Sequence, residues 1–175
     1  MVLALIIEFL KYLLIAVALY FIARSVVQAY LKNEEKKREA DARSAISQTT
    51  LPLRLQACER LILLLERIAP AQAVNRAFQP GMTALELQLM LIRNIREEYE
   101  HNVAQQIYIS LSGWALIKSA KEEVIHLINI SASETDAGAP GNELAKILLV
   151  RWAQLDLNPV QSAIDQLKSE INLLL

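Results

Sequence analysis

From Val2 to Leu31 apolar positions follow one another almost without interruption. Glu8, Lys11 and Arg24 are the only charges in this stretch, and it contains neither Gly nor Pro. An apolar run of this length predicts a helix that crosses a membrane. Directly after it, KNEEKKREADAR (32–43) is nearly all charge. It predicts a continuation of the helix as a solvated stalk, with Glu34–Arg38 and Glu39–Arg43 as i,i+4 pairs in the favourable order. The next stretch, SQTTLP (47–52), predicts a break, with Thr49 or Thr50 capping a new helix and Pro52 in its first turn.

Beyond the break the apolar period is helical. Leu51, Leu55, Cys58, Ile62, Leu65 and Ala69 recur at steps of three and four, widened by Leu61 and Ile68, and predict a core-facing helix that ends before Pro70. Residues 71–78 read as two loose turns and Gln79-Pro80-Gly81 as a turn. Thr83 with Glu86 forms a capping box opening a helix over 84–102. That helix is expected to point Leu85, Leu89, Ile92, Ile95 and Tyr99 inward, with Leu87 and Leu91 broadening the arc. QQIYIS (105–110) reads as a short extended linker, and Ser110 or Ser112 as the cap of a helix over 111–130 facing inward through Trp114, Ile117, Val124 and Ile128. SASETDAGAPGN (131–142) reads as a loop. Asn142 is expected to cap a helix over 143–156 with Leu144, Ile147, Leu148, Trp152 and Leu155 inward. Asn158-Pro159 is expected to open a last helix carrying Val160, Ile164, Leu167, Ile171 and Leu174. The pattern thus predicts an all-α chain in three parts. Residues 1–31 form a transmembrane signal anchor, 32–48 a charged helical stalk, and 49–175 a cytoplasmic helical domain, an irregular antiparallel bundle of about five helices.

A helix over Val2–Leu31 would be about 45 Å long against a hydrocarbon core of about 30 Å, so two registers compete. In one, residues 2–23 span, Arg24 marks the exit, and Glu8 and Lys11 lie one turn apart in the membrane. In the other, 9–31 span, Tyr12 and Tyr30 sit at the two interfaces about 27 Å apart, and Arg24 lies at depth. Both leave charge in the bilayer, which either snorkels or meets another membrane helix. A cleaved signal peptide fits poorly, because its leading region MVLALIIE is apolar and then acidic. A soluble coiled-coil arm fits poorly too, since nothing alternates polar and apolar before Arg24. Lys and Arg gather after the span, at Arg24, Lys32, Lys36, Lys37, Arg38 and Arg43. Only Lys11 precedes them, so the rule of cytoplasmic positive charge places the N-terminus outside and the domain in the cytoplasm.

Composition adds limits. Hydrophobic residues make up 54%, and Gly and Pro number only 4 and 5 among 175 residues, which suits helices. A net charge of −1 gives no basic surplus and argues against nucleic acid as a partner. The single cysteine, Cys58, allows no intrachain disulfide and no cysteine-based zinc site, and its position on an apolar stripe reads as core.

Candidate chemistry is sparse. Both histidines occur in Glu-x-x-His, as Glu98–His101 and Glu123–His126, the element from which carboxylate-bridged di-iron sites of helical bundles are built. The alternative reading is therefore a metal-binding helical protein using these four residues. Their order opposes it: a helix should separate the two motifs, and only 25 residues do. No dinucleotide fingerprint, phosphate loop, nucleophile elbow or zinc-protease motif occurs, and no cofactor is expected.

ACERLILLLERIAP (57–70), EEYEHNVAQQIYIS (97–110) and AKEEVIHLIN (120–129) together resemble an uncharacterised family of single-span, membrane-anchored helical proteins from Bacteroidota. The resemblance implies an N-terminal membrane helix, a small helical cytoplasmic part and a place in a bacterial inner membrane, and implies no activity. The layout also resembles the peripheral-stalk b subunit of rotary ATP synthases, but breaks at Pro52, Pro70, Pro80, Pro140 and Pro159 exclude its long uninterrupted rod. The expected function is a non-enzymatic membrane-anchored adaptor or accessory subunit. Its expected partners are a protein in or at the membrane, the bilayer itself, and a second copy of the chain. Glu8, Lys11 and Arg24 are its expected contacts to a membrane partner. Lys32, Lys36, Lys37 and Arg38 are its expected contacts to a lipid surface.

Overall fold

The computed structural model describes the backbone of residues 2–173 and the side chains of 9–15, 17, 19–38, 41 and 48–173. Among the described residues all regular structure is helical. It comprises α1 (Val2–Ile68), α2 (Pro70–Ala77), α3 (Ala84–Asn102), a 3-10 helix (Val103–Tyr108), α4 (Leu111–Ser133), α5 (Gly141–Ala153) and α6 (Pro159–Asn172). The chain divides into two compact units, Met1–Thr50 and Leu51–Leu175.

The first unit is helix throughout. Phe9–Arg38 is long and apolar enough to cross a membrane, with a mean hydropathy of 1.8 and none of that window buried. The Glu34–Arg38 pair forms, with Arg38 Nε 3.9 Å from Glu34 Oε1. The side chains of Glu39 and Arg43, expected to pair likewise, lie outside the described residues.

The break expected at 47–52 does not occur, because α1 runs through it with Pro52 inside the helix. Proline removes one i→i−4 hydrogen bond and crowds the preceding turn, which kinks or weakens a helix without necessarily ending it. The chain around it, LPLRLQA, is otherwise made of good helix formers.

The second unit has one apolar core, to which α1 contributes its C-terminal turns. The fully buried large side chains are Leu61, Leu64, Leu65 and Ile68 of α1, Leu87, Leu91 and Ile95 of α3, Ile117 and Ile128 of α4, Leu144 and Leu148 of α5, and Leu167 of α6. Burying each such side chain stabilises by roughly 1.5–3 kcal/mol relative to leaving it in water. Helix α4 packs against α3, α5 and α6, while the short α2 closes against α3 and α5.

Two stripes differ from the expected ones. On α1 the buried arc runs through Ala57, Leu61, Leu64 and Ile68 beside Cys58 and Leu65, while Leu55 is exposed and Leu51 and Ile62 are half-buried. At 100° per residue this is about a quarter turn away from the expected stripe. On α3 the inward set is Ala84, Leu87, Leu91 and Ile95, and Leu85 and Leu89 are 46% and 60% exposed. Both helices carry leucine on two arcs, and only the neighbours decide which arc is buried. Leu155 lies past the end of α5 and is exposed, and Leu174 lies outside the described residues. The stripes of α4 and α6 are buried as expected at Ile117, Val124 and Ile128 and at Val160, Ile164 and Leu167, with Trp114 and Ile171 half-buried.

The caps at Thr83 and Asn158 form as their sequences dictate. Thr83 Oγ1 accepts from the Glu86 amide at 3.2 Å while Glu86 Oε2 accepts from the Thr83 amide at 2.9 Å. Asn158 Oδ1 accepts from the Gln161 amide at 3.1 Å. The expected Asn142 cap is absent: α5 starts at Gly141 behind Pro140, with no side-chain cap. Gly141 is a tight fit there, since a Cβ would stand 3.1 Å from the Met82 carbonyl oxygen, which the Gly141 amide itself donates to. The expected loop 131–142 is shorter and more ordered than its composition suggests. Its residues 131–133 belong to α4, and the carbonyls of Ala139 and Ala137 accept from the amides of Ala84 and Leu85, satisfying first-turn donors of α3. Of the extended linker expected at 105–110 only Ile109 and Ser110 are extended, and 105–108 belong to the 3-10 helix, a frequent connector between α-helices.

Candidate functional site

The apolar surface of α1 is the largest chemical feature without a partner among the described residues. Phe9, Tyr12, Leu14, Tyr20, Phe21 and Ile22 are each at least 59% exposed. Arg24 and Lys11 are exposed on this surface, and the side chain of Glu8 lies outside the described residues. The Arg24 guanidinium turns back along the helix, its Nη1 donating to Tyr20 Oη at 3.5 Å. Tyr20 in turn meets Phe21 edge to face at 5.8 Å. Ser25, next to Arg24, donates to the Ile22 carbonyl at 2.8 Å and is satisfied by its own helix. Lys32, Lys36, Lys37 and Arg38 are all exposed. Because three of them are consecutive, they surround the helix at 100° steps instead of lining one face.

In the second unit the densest polar cluster joins the start of α4 to α6. Ser110 caps α4, its Oγ accepting from the Gly113 amide at 2.9 Å. Glu170 of α6 accepts from the Ser110 amide at 3.1 Å and also from the Ser110 hydroxyl, while Gln166 donates to it at 3.2 Å. Nearby, Arg54 Nε donates to the Tyr108 carbonyl at 3.0 Å. Burial alone raises the Glu170 carboxyl. The Ser110 hydroxyl and amide, Gln166 and the Arg54 charge outweigh it and hold the group below the ordinary carboxylate value. A carboxylate at a helix N-terminus also meets the positive end of the helix dipole. Gly113 makes room for it, since a Cβ there would stand 2.5 Å from Glu170 Oε1. Cys58 is 3% exposed; burial pushes its thiol up, the Glu170 charge adds to this, and Arg54 partly offsets it. A buried thiol so shifted packs as a small hydrophobe and is a poor nucleophile.

The four Glu-x-x-His residues are not gathered. His101 and His126 are both exposed on different helices, and Glu98 is held by Arg67, whose Nη1 lies 3.0 Å from Glu98 Oε1. Ser112 and Gly113 lie in the first turn of α4, so the chain makes no tight reversal there that could bring the two histidines level. Among the described residues no group of three or more His, Cys, Asp or Glu could hold a metal. Between these helices lies an aromatic junction. Tyr99 stacks on Trp114 at 5.3 Å, and the Lys121 ammonium sits 4.3 Å above the Tyr99 ring while also pairing with Glu122 at 2.8 Å.

A family model described as a family of unknown function, DUF7935, matches residues 4–174. The chain belongs to this family. The DUF7935 match takes in both compact units, the apolar helix as well as the helical core. No curated protein and no solved structure matches the chain.

The surface depressions are open. One of about 520 Å³ lies between Glu134, Glu143, Lys146, Ile147, Val150, Arg151 and Gln154, where Arg151 and Glu134 pair directly. Another of about 690 Å³ lies against Gln79–Met82, Glu86, Leu89, Met90 and Arg93. Among the described residues every buried side-chain polar atom has a partner, so none is aimed unsatisfied into either depression. Sequence reasoning missed the Ser110–Glu170 and Arg67–Glu98 links, which join residues 60 and 31 positions apart. No local pattern marks such pairs.

Proposed function

We propose that this protein is a membrane-anchored adaptor or accessory subunit that does no chemistry of its own. In this reading α1 spans a bacterial inner membrane once, with its N-terminus outside and the helical unit in the cytoplasm, where it binds a protein partner. The observation that carries it is the 30-residue stretch Phe9–Arg38, apolar over its membrane-length window and with none of that window buried. In water such a surface would be an aggregation liability, and in a bilayer it is satisfied. Support for orientation comes from Lys32, Lys36, Lys37 and Arg38, which follow the apolar stretch directly and form a collar suited to anionic headgroups. Support for an adaptor comes from charge in the span itself, at Glu8, Lys11 and Arg24, which a passive anchor has no need of.

The test is purification from native membranes in mild detergent, with protease protection of tags at both ends. A partner that copurifies in fixed proportion, with the C-terminal tag protected in right-side-out cells, is the expected result. A protein released by alkaline carbonate, or one that always runs alone as a monomer, would contradict the proposal.

A further inference from the structure

Between Glu8 and Glu34 the chain has no acidic residue, yet it carries Lys11, Arg24 and Lys32. Arg24 is the cation furthest from either end of the stretch Phe9–Leu31. Its recorded partner among the described residues is Tyr20 Oη, at 3.5 Å, one helical turn toward the N-terminus. That direction follows from helix geometry, since side chains lean toward the N-terminus of their own helix. It also carries the guanidinium away from the basic collar and the cytoplasmic headgroups that would otherwise receive it. A guanidinium has five N–H donors, and one tyrosine oxygen leaves most of them to be satisfied in a medium with no water. The chain's own acids cannot serve. Glu8 is about 24 Å away along the helix and Glu34 about 15 Å, and Glu34 already pairs with Arg38 at 3.9 Å. A second copy in the same orientation cannot serve either, because its Glu8 and Glu34 stand at the same levels as these.

Resting on the membrane-anchor reading, we infer that Tyr20 and Arg24 form a docking face for a different membrane helix that carries a buried Asp or Glu at their depth. The carboxylate takes the planar fork of Arg24 in a bidentate pair, and the Tyr20 hydroxyl, already accepting from Arg24, donates its own proton to the same group. Gln28, one turn further along the same face, extends the polar contact toward the interface. Ser25 takes no part, its hydroxyl being committed to Ile22.

The experiment reconstitutes the full chain, labelled with a donor dye, into phosphatidylcholine vesicles with an acceptor-labelled polyleucine helix. The helix carries one Glu, or one Gln, at the level of Arg24, and energy transfer reports association. The Glu helix is expected to bind about tenfold more tightly than the Gln helix. Arg24→Leu should abolish the difference, Arg24→Lys should keep part of it, and Tyr20→Phe should reduce it. Equal binding of the two helices, or a preference that survives Arg24→Leu, overturns the inference. So does a preference that vanishes when phosphatidylglycerol is added, which would mean that a lipid phosphate holds the guanidinium. Flotation of the same vesicles after an alkaline wash separates the two levels. If the chain washes off, the membrane anchor itself is wrong and the docking face falls with it. If the chain stays and shows no preference for Glu, only the docking face is wrong.

Discussion

The contact between Glu170 and Ser110 makes a quantitative demand on stability. Glu170→Gln keeps the size of the side chain and removes its charge, and Ser110→Ala removes a donor to Glu170 together with the cap on Gly113. Hydrogen bonds to a charged group are worth about 1.5–3 kcal/mol where buried, and Glu170 is half-buried, so solvent screening lowers the figure. Glu170→Gln should therefore cost about 1 kcal/mol at neutral pH. Ser110→Ala should cost about 1–2 kcal/mol, because loss of a cap alone costs roughly 0.5–2. The double variant should lose less than the sum, by about 1 kcal/mol, since both substitutions break the same contact. The assay is urea unfolding of the full chain in mild detergent, followed by tryptophan fluorescence. Trp114 and Trp152 both lie in the second unit, so the signal reports that unit alone. The pH dependence is fixed in sign. The folded carboxyl is held below its ordinary value, so the unfolded chain binds more protons. The stabilisation is then fully present above the ordinary Glu value of about 4.3 and is lost as pH falls through the folded value. The wild-type advantage over Glu170→Gln should therefore be constant from pH 7 down to about 5 and shrink below that. Strict additivity of the two substitutions, or an advantage unchanged down to about pH 3, would refute the reasoning.

Three further predictions concern the core. Leu91→Ala should destabilise by about 2–5 kcal/mol and Leu89→Ala by less than about 0.5, the first being fully buried and the second 60% exposed; the same unfolding assay separates them, and the reverse order would mean α3 faces the other way. Gly113→Ala sets alanine's helix gain of about 1 kcal/mol against the Glu170–Ser110 contact it displaces, so in the same unfolding assay it should stabilise by about 1 kcal/mol in a Glu170→Ala chain and by clearly less in the wild-type chain. Cys58 should react with a thiol reagent at the rate of local unfolding in native protein and immediately in urea; fast labelling of the native protein would contradict its buried, raised thiol.

Local features of this chain are legible because their physics is local. The capping box at Thr83, the Asn158-Pro159 start of α6 and the Ser110 cap each involve groups within three residues of one another, and all three form. The apolar stretch before Leu31 and the Glu34–Arg38 pair belong to the same class, as does the Tyr20–Arg24 contact, whose i,i+4 spacing is visible in the sequence. Cys58 and the two half-buried tryptophans fell where their apolar settings put them. The metal set of the alternative reading is not gathered, for the opposite reason. Glu-x-x-His is a local pattern, but a metal site needs several such patterns brought to one point, and here Glu98 is turned toward Arg67 instead.

The amino-acid sequence by itself determined that the chain is helical, where most of its helices start, and that its first part carries an apolar stretch long enough to cross a membrane. Each of these follows from propensity, capping and hydropathy, which act within one or two turns. Only the tertiary structure decided which arc of α1 and of α3 is buried, since Leu55 and Leu61, or Leu89 and Leu91, are equally apolar on different arcs of one helix. It also decided that α1 passes through Pro52 and that a carboxylate from α6 anchors the first turn of α4. Those outcomes depend on groups tens of residues apart, whose contact energy exists only once the whole core has formed.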